Sequence, residues 1–395
     1  MPRTGGHAVP ILALSLGHVF SNAVRTLPAL AVDVLQRDLG LSAEGLAAVT
    51  GAFPFAFALA MVPVGVGLDR FGVRRTSLSV LAVAGLGAVL AALAPNAWAM
   101  LLAQAVLGIG CAGMLMCPIT YAARAVEPGR FGLWSGIILT FGNTGMLLSA
   151  SPLAVLVEWQ GWRAGFWAMA ALAGFAFLAV ALTVRQPPPP RGRPPSLWQD
   201  ARQVLAIAGS PALRPLMVFA FASFAVVLGV RGLWGGPWLM QVKGLSRIEA
   251  GNILFGCALA LTMAPVVCGW VERRLGRPVL LLAGSHIIVA GLILALLAGA
   301  RLPPAWDAAI FFLIGGVISF QMVTFGLVRA AVPPEQTGRA LSAQNISFFG
   351  GAAVMQAVSG LAAAWGGVAA ALASFAVALL VCTTAFLWLR RRQSG

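Results

Sequence analysis

Charged residues are scarce in this chain. Only 9% of its 395 residues are charged, 11 are acidic and one is tyrosine, whereas 60% are hydrophobic. The mean hydropathy is +0.91. Soluble domains carry about 25% charged residues, so this balance excludes a soluble globular protein and predicts an integral membrane protein.

The sequence also lacks the residue clusters that enzymes and metal sites require. It has no serine, histidine and acid arrangement, no cluster of metal ligands and no glycine-rich phosphate loop ending in lysine. We therefore predict no enzymatic activity, no catalytic residues, no cofactor, no metal and no ATP-driven chemistry. The five cysteines are odd in number and lie in apolar segments, which favours small core residues over a disulfide framework.

Apolar runs of about 20 residues recur from one end of the chain to the other, each long enough to cross a hydrocarbon core of about 30 Å. The first of them lacks a small-residue cleavage site and is interpreted as a retained helix. The sequence thus predicts an all-α protein with twelve transmembrane helices, at about 10–34, 45–68, 77–94, 98–122, 132–156, 164–184, 212–239, 249–271, 278–300, 305–328, 340–362 and 368–389.

The net charge of +15 follows from where the arginines lie. Most basic residues fall in the segments that are cytoplasmic if both termini are inside, which agrees with the positive-inside rule. The distribution predicts a multi-pass protein of a bacterial cytoplasmic (inner) membrane with both termini in the cytoplasm. It makes a nucleic-acid partner unnecessary and leaves the lipid bilayer as the expected surrounding.

A proline- and arginine-rich stretch divides the chain into two similar halves. Residues 185–203 contain Pro187 to Pro190 and read as a cytoplasmic linker between six-helix bundles at 1–184 and 204–395. The turn Gly40-Leu41-Ser42 recurs 204 residues later as Gly244-Leu245-Ser246, and Gly72 recurs as Gly276 with the same offset. We expect two pseudo-symmetric bundles built from parallel repeats.

The segment after the second helix carries a recognisable motif, Gly65-x-x-x-Asp69-Arg70-x-Gly72-x-Arg74-Arg75. It resembles the helix 2–3 signature of the major facilitator superfamily, and Gly161-Trp162-Arg163 is similar to another recurring feature of that family. The resemblance implies two rocking bundles, a central cavity and alternating access. It also implies a cytoplasmic gate, formed here by Gly65, Asp69, Arg70, Gly72, Arg74 and Arg75 with Arg273 and Arg274 of the second half.

Two departures from the family patterns limit this resemblance. Gln104 stands where the fourth helix usually carries a membrane arginine before a Gly-x-Gly, which weakens a borrowed proton-coupling role. The fifth helix lacks the compact Gly-Pro element of many drug/proton antiporters. The pattern therefore favours a substrate other than a drug.

Arg25 and Arg231 are fixed positive charges inside otherwise apolar segments, at matching places in the two halves. Such a charge costs about 2.5–3.5 kcal/mol near the middle of a membrane helix, so it is usually retained for a ligand, an ion path or a structural partner. One interpretation is that the two guanidinium groups grip a carboxylate or phosphate from opposite sides. This arrangement is similar to the organic-anion and organophosphate transporters of the superfamily. The alternative is that each arginine ties helices together through backbone carbonyls or a local acid, for which Asp33 is the only candidate on the first helix.

Other polar side chains are predicted to share the substrate site. His18, Asn22 and Arg25 follow one another at positions i, i+4 and i+7, on one helix face. Asn143, Gln321 and Asn345 could each line the cavity or join neighbouring helices, and the sequence favours neither role. The predicted substrate site comprises Arg25, Arg231, Asn22, His18, Trp234, Asn143, Gln321 and Asn345.

The predicted function is a secondary active or exchange transporter of a small organic anion, acting as a monomer. Because every acidic residue falls at a segment end or in a loop, His18 is the candidate for proton coupling. A coupling proton, another cation or a counter-anion all remain open, and plain exchange needs no titrating residue. Two alternatives are a proton-coupled exporter of drugs or lipophilic metabolites and a non-transporting membrane sensor.

Overall fold

In a computed structural model of the chain, residues 7–127, 131–149, 151–185, 197–333 and 336–394 are described. Throughout these ranges the regular structure is helical, and no strand occurs. The first half contains the helices Ala8–Val24, Leu27–Leu30, Val32–Leu39, Ala43–Leu93, Ala97–Cys111, Met116–Ala125, Phe131–Leu148 and Ser151–Thr183.

The second half has the same organisation, preceded by the helix Leu197–Ala208. Its α-helices are Arg214–Val226, Gly235–Pro237, Arg247–Leu275, Pro278–Ala298, Pro304–Ile318, Val323–Ala330 and Thr337–Ser394, with π-helical segments at Val227–Trp234 and Trp238–Val242 and a 3₁₀ turn at Ser319–Met322.

Kinks and breaks group these helices into twelve membrane-spanning elements within the described ranges. Three of the long helices each contain glycine with non-helical backbone angles, at Gly72, Gly161 and Gly366–Gly367. The spanning elements are α1 (8–39), α2 (43–71), α3 (73–93), α4 (Ala97–Ala125), α5 (131–149 and 151–160), α6 (162–183), α7 (Arg214–Val242), α8 (Arg247–Leu275), α9 (Pro278–Ala298), α10 (Pro304–Ala330), α11 (337–365) and α12 (368–394). The prediction of twelve helices in two pseudo-symmetric bundles is confirmed.

The glycines with positive φ show the internal repeat directly. In the described chain there are six of them, and they form three pairs, Gly40 with Gly244, Gly72 with Gly276, and Gly161 with Gly367. Their φ values lie between 59° and 80°, a region that side chains other than glycine rarely adopt. The two members of each pair lie at matching places in the two halves, so the repeated sequence places positive-φ glycines at repeated positions.

The Gly-Leu-Ser turn has a physical role in both halves. Gly40 and Gly244 lie in left-handed backbone directly after α1 and α7. Two residues later, Ser42 Oγ accepts a hydrogen bond from the Gly45 amide at 3.1 Å, and Ser246 Oγ accepts one from the Glu249 amide at 3.3 Å. The turn therefore ends one helix and caps the next.

Small residues allow neighbouring helices to pack backbone to backbone. A Cβ at Gly145 of α5 would overlap the Val19 carbonyl of α1, and one at Gly351 of α11 would overlap the Phe221 carbonyl of α7. The same helix pairs therefore meet at equivalent glycines in the two halves. Large apolar side chains point outward instead, with Trp365 93% and Leu182 84% exposed, as expected for surfaces that face lipid.

The predicted linker contains more regular structure than its prolines suggested. Residues 186–196 lie outside the described ranges, but a helix covers Leu197–Ala208 and overlaps the last part of the stretch predicted as a linker. Val204 of this helix is buried in a cluster with Leu213, Phe219 and Phe386 of the second half. The prolines end at Pro195, so they do not oppose a helix that begins two residues later.

Candidate functional site

A cavity of about 140 Å³ lies between the two halves. Its lining residues lie near the middle of their helices. The end of the molecule that carries Leu197–Ala208 is here called the linker end. Both halves contribute to the wall of the cavity, which consists of His18, Ser21, Asn22, Arg25, Phe57, Met61, Cys111, Ala112, Leu115, Met116, Leu139, Asn143, Met146, Phe224, Gln321, Met322, Phe325, Asn345, Phe348 and Phe349.

Six of the eight predicted substrate-site residues are brought together in this wall. His18, Asn22 and Arg25 share one face of α1, Asn143 comes from α5, and Gln321 and Asn345 come from the second half. Gln321 is 2% exposed, and its Oε1 has no hydrogen-bond partner within the described chain. The cavity therefore has a cluster of polar side chains in a largely apolar wall.

Among the described residues that line the cavity, Arg25 has the one permanently charged side chain. Its Nε donates to the Ser21 carbonyl and its Nη2 to Ser21 Oγ, both at 2.9 Å. Nη1 has no hydrogen-bond partner among the described residues, and the guanidinium makes no ion pair there. The group is thus fixed along one edge and free along the other, a geometry that suits an incoming anion.

Asn22 connects His18 to α5. Its Nδ2 lies 3.3 Å from His18 Nε2, donates to the Gly142 carbonyl at 2.9 Å and lies 3.4 Å from Asn143 Oδ1. A Cβ at Gly142 would overlap the His18 ring. Glycine at this position therefore makes the room in which the imidazole lies.

Five phenylalanines cover much of the wall. Phe349 stacks on Phe57 from the other half at 3.7 Å between ring centroids, with 18° between the planes, and it lies 4.9 Å from Phe224. Phe348 lies 5.8 Å from both Phe224 and Phe325. The Arg25 Cζ is 6.0 Å from the Phe224 centroid and 5.8 Å from that of Phe349. These rings were not predicted, since phenylalanine in an apolar helix gives no signal of where it points.

The remaining two predicted residues, Arg231 and Trp234, are not among the residues that line this cavity, so in the described state the two arginines do not face each other across it. Arg231 is 4% exposed, and its Nη2 donates to the Met146 carbonyl at 2.9 Å. Trp234 Nε1 donates to Ser359 Oγ at 2.9 Å. Arg231 thus lies behind the wall that Met146 helps to form and ties α7 to α5 through a backbone carbonyl.

Both arginines lie where their helices depart from α geometry. The first helix ends at Val24 and resumes at Leu27, so Arg25 is its C-terminal cap. Arg231 falls inside the π-helical segment Val227–Trp234. Irregular turns of this kind are frequent at functional sites. The break after Val24 differs from the expected continuous helix at 10–34, whereas Arg214–Val242 is one helix with a π-helical segment inside it.

The structure places the described residues of the predicted cytoplasmic gate near the linker end. Gly72 provides the kink between α2 and α3, with φ 79°, and Gly65 faces Met116 of α4. Arg74 Nη2 donates to the Ala181 carbonyl of α6 at 2.9 Å. The Asp69 side chain lies outside the described part. The other arginines of the predicted gate are exposed, namely Arg70, Arg75, Arg273 and Arg274. Arg70 lies over the ring of Phe71, and Arg274 lies over the ring of Trp270.

At the opposite end, Arg247 joins the two halves. Its Nη2 lies 2.7 Å from Asp33 Oδ2 and its Nε 2.8 Å from Glu158 Oε2, and Nη1 also donates to the Leu30 carbonyl. We call this the Arg247 end. Asp33 lies at the end of the predicted helix 10–34, Glu158 follows the helix 132–156 and Arg247 precedes the helix 249–271. With both termini on one side, these positions share one membrane face, which is the signal that the sequence offers for this contact.

The Gly161-Trp162-Arg163 feature holds three turns of the first half together. Trp162 Nε1 donates to Asp38 Oδ2 at 3.0 Å, and Arg163 Nη2 donates to the Ala94 carbonyl at 3.1 Å. The Arg163 guanidinium lies 4.1 Å from the Trp162 ring centroid. The feature is therefore a structural tie at the Arg247 end.

Comparisons with known proteins agree with this architecture. The chain is 26% identical to the tetracenomycin C resistance and export protein of Streptomyces glaucescens, over 89% of this chain and 75% of the relative. It is 28% identical to the probable nitrate/nitrite transporter of Mycobacterium tuberculosis, over 70% of this chain and 68% of the relative.

Among solved structures, a bacterial homolog of the human lysosomal transporter Spinster superposes with a TM-score of 0.81, at 17% identity and 98% coverage of both chains. The family model described as Major Facilitator Superfamily matches residues 14–328. This chain, with two repeated six-helix bundles and a cavity between them, belongs to the major facilitator superfamily.

Proposed function

We propose that this protein is a secondary active or exchange transporter of a small organic anion, and that Arg25 binds the anion. The observation that carries this proposal is the free Nη1 edge of a guanidinium that lines the central cavity and has no carboxylate partner in the described chain. A positive charge in an apolar setting requires a counter-charge. The substrate is the group that can supply it.

Arg231 has a different role in this proposal. In the described state it ties the halves together behind the cavity, through the Met146 carbonyl. Its Nε is buried without a hydrogen-bond partner in the described part. Separation of the halves at the Arg247 end would release this guanidinium, so Arg231 would become available to the anion in the opposite state.

The membrane placement follows from charge. We propose that the linker end, with its many arginines, faces the cytoplasm of a bacterium and that the Arg247 end faces outward. The described state then has its inter-half contacts of Arg247 and Arg231 on the outer side, and we infer from these contacts that its cavity opens toward the cytoplasm. Alternating access would break these contacts and form others at the predicted cytoplasmic gate.

Proton coupling through His18 is part of the same proposal. Because Asn22 Nδ2 can only donate, His18 Nε2 must accept from it. Protonation would turn Nε2 into a donor and free Asn22 for the Gly142 carbonyl and Asn143. The other titratable groups in the described wall are Arg25 and Cys111. In His18→Gln, anion flux should lose its dependence on a pH gradient while anion exchange persists; unchanged gradient dependence would exclude His18.

Flux into proteoliposomes, with radiolabelled carboxylates and phosphate esters, tests the proposal. Arg25→Gln should abolish anion flux while the protein still inserts and folds. Arg301→Gln is the matched control. Arg301 is exposed at the Arg247 end, so this substitution removes the same charge outside the cavity. Anion flux that survives in Arg25→Gln at the control rate would refute the proposal.

The exporter alternative has one observation in its favour. The wall contains five phenylalanines and four methionines, and one relative is named as an export protein. This alternative predicts that a lipophilic cation such as ethidium is transported and that its transport survives Arg25→Gln. A sensor, by contrast, predicts anion binding with no flux of any probe.

A further inference from the structure

We infer that the substrate is a monovalent aromatic carboxylate with a single ring, bound through its carboxylate to Arg25. The inference rests on the proposed anion transport and narrows it to one class. Four features of the cavity support it, namely its charge, the free edge of Arg25, the aromatic wall and its volume.

The charge of the wall selects a monoanion. Arg25 is the permanently charged side chain among the described lining residues, and Arg231 lies behind the wall. A carboxylate therefore neutralises the cavity. A phosphate monoester with two negative charges would leave an unbalanced charge against phenylalanine and methionine side chains, which is unfavourable. This narrows the predicted anion from carboxylate or phosphate ester to carboxylate.

The fixed orientation of Arg25 selects a planar acid group. Ser21 accepts from Nε and from one hydrogen of Nη2. The two Nη1 hydrogens and the second Nη2 hydrogen remain, and they point from the end of the guanidinium. This edge can donate two parallel hydrogen bonds to the two oxygens of one carboxylate.

The rings beside Arg25 select what is attached to that carboxylate. Phe224 and Phe349 both lie about as far from the guanidinium as a cation–π contact allows, at 6.0 and 5.8 Å. Phe349 is itself stacked on Phe57 from the first half. A flat ring next to the carboxylate would extend this group of rings and make offset or edge contacts with them.

The volume of the cavity suits a single ring. The cavity measures about 140 Å³, close to the size of about 150 Å³ at which an apolar protein cavity holds benzene. Benzoate is thus the simplest probe of the class.

The experiment is calorimetric titration of the purified full-length protein with benzoate, benzamide, acetate and phenyl phosphate. Benzoate should bind about tenfold or more tightly than benzamide, which has the same shape without the charge. It should also bind more tightly than acetate and phenyl phosphate. Acetate binding equal to benzoate, or tighter binding of phenyl phosphate, would overturn the inference.

Variants separate this inference from the proposal on which it rests. Phe349→Leu should weaken the binding of benzoate but leave the binding of acetate unchanged. Its control is Phe312→Leu, which removes a ring that is 48% exposed on the outer surface of α10. If Arg25→Gln abolishes binding of every anion while Phe349→Leu changes none, the ring class fails and anion transport stands. If benzoate binds Arg25→Gln as it binds the unmodified protein, both fail.

Discussion

Arg231 Nη2 lies 2.9 Å from the carbonyl oxygen of Met146, so a residue from the first helix of the second half is bonded to the fifth helix of the first half. Arg25 occupies the equivalent position in the first half, yet it faces the cavity and bonds within its own helix. Two arginines that the sequence repeat makes equivalent are therefore in different environments. In a protein that alternates between two states, we expect these environments to change places.

Arg231→Gln should shift the protein toward a state that is open at the Arg247 end. A hydrogen bond from a charged donor contributes about 1.5–3 kcal/mol, which corresponds to roughly a tenfold or larger change in the ratio of two states. Spin labels at Gln160 and Arg301, which are exposed in different halves, would report longer distances by electron paramagnetic resonance.

The matched control for this variant is Arg25→Gln in the same labelled background. Arg25 bonds within its own helix, so its loss should change the label distances little in the absence of substrate. An unchanged distance distribution in Arg231→Gln would mean that the Met146 contact does not hold the halves together.

Arg247 and Asp33 should show a measurable but modest coupling. The ion pair has good geometry, with Nη2 to Oδ2 at 2.7 Å, but the Asp33 side chain is 47% exposed. Solvent screening limits such pairs to about 1 kcal/mol. A double-mutant cycle of Arg247→Gln and Asp33→Asn, read from the same label distances, should give a coupling of about this size.

Glu158 remains as a second acceptor for Arg247, so Asp33→Asn alone should open the Arg247 end less than Arg247→Gln does. Arg37→Gln serves as the control, since Arg37 pairs with Asp38 inside the first half. Equal opening by Arg37→Gln would show that the Arg247 effect is one of general surface charge.

Gly145→Ala should destabilise the protein much more than Gly136→Ala on the same helix. A Cβ at Gly145 would overlap the Val19 carbonyl, whereas one at Gly136 has no described atom within 4 Å outside its own helix. Overpacking costs about 1–3 kcal/mol, while alanine in place of an exposed helical glycine is neutral or favourable. Thermal unfolding in detergent measures both variants, and equal melting temperatures would contradict the packing described for α1 and α5.

The architecture could be predicted from the sequence because the patterns that encode it are local and occur in both halves. Apolar length gives the spanning helices, and the 204-residue offset pairs the turns, as Gly40 and Gly244 show. Spacing on one helix placed His18, Asn22 and Arg25 on a common face, since that depends only on helical periodicity.

The positions of Arg231 and Arg247 could not be predicted in this way. Arg231 binds a backbone carbonyl from the other half, and every residue has such a carbonyl, so nothing marks Met146 as its acceptor. Arg247 meets Asp33 across 214 positions of the chain, a contact set by the tilt of the two halves. The sequence repeat carries no record of which state the halves adopt.

Asp307→Asn should be the most destabilising of the single substitutions considered, although Asp307 is not among the residues that line the cavity. Lys243 Nζ is 3.0 Å from Asp307 Oδ2, and the two side chains are 3% and 0% exposed. Trp238 Nε1 also donates to Asp307 Oδ1 at 2.7 Å. Removing one partner leaves the other charge buried and uncompensated, which costs about 3–5 kcal/mol.

Replacing both charged partners provides the matched control. In Lys243→Met with Asp307→Leu no buried charge remains, so the melting temperature should recover most of the loss seen in Asp307→Asn. Below the melting temperature, anion binding at Arg25 should stay unchanged in both proteins, because the pair lies in the second half between α7 and α10. A double variant as unstable as Asp307→Asn would show that the Trp238 hydrogen bond and the bonds from Lys243 to the carbonyls of Ala300 and Leu302 matter more than charge balance.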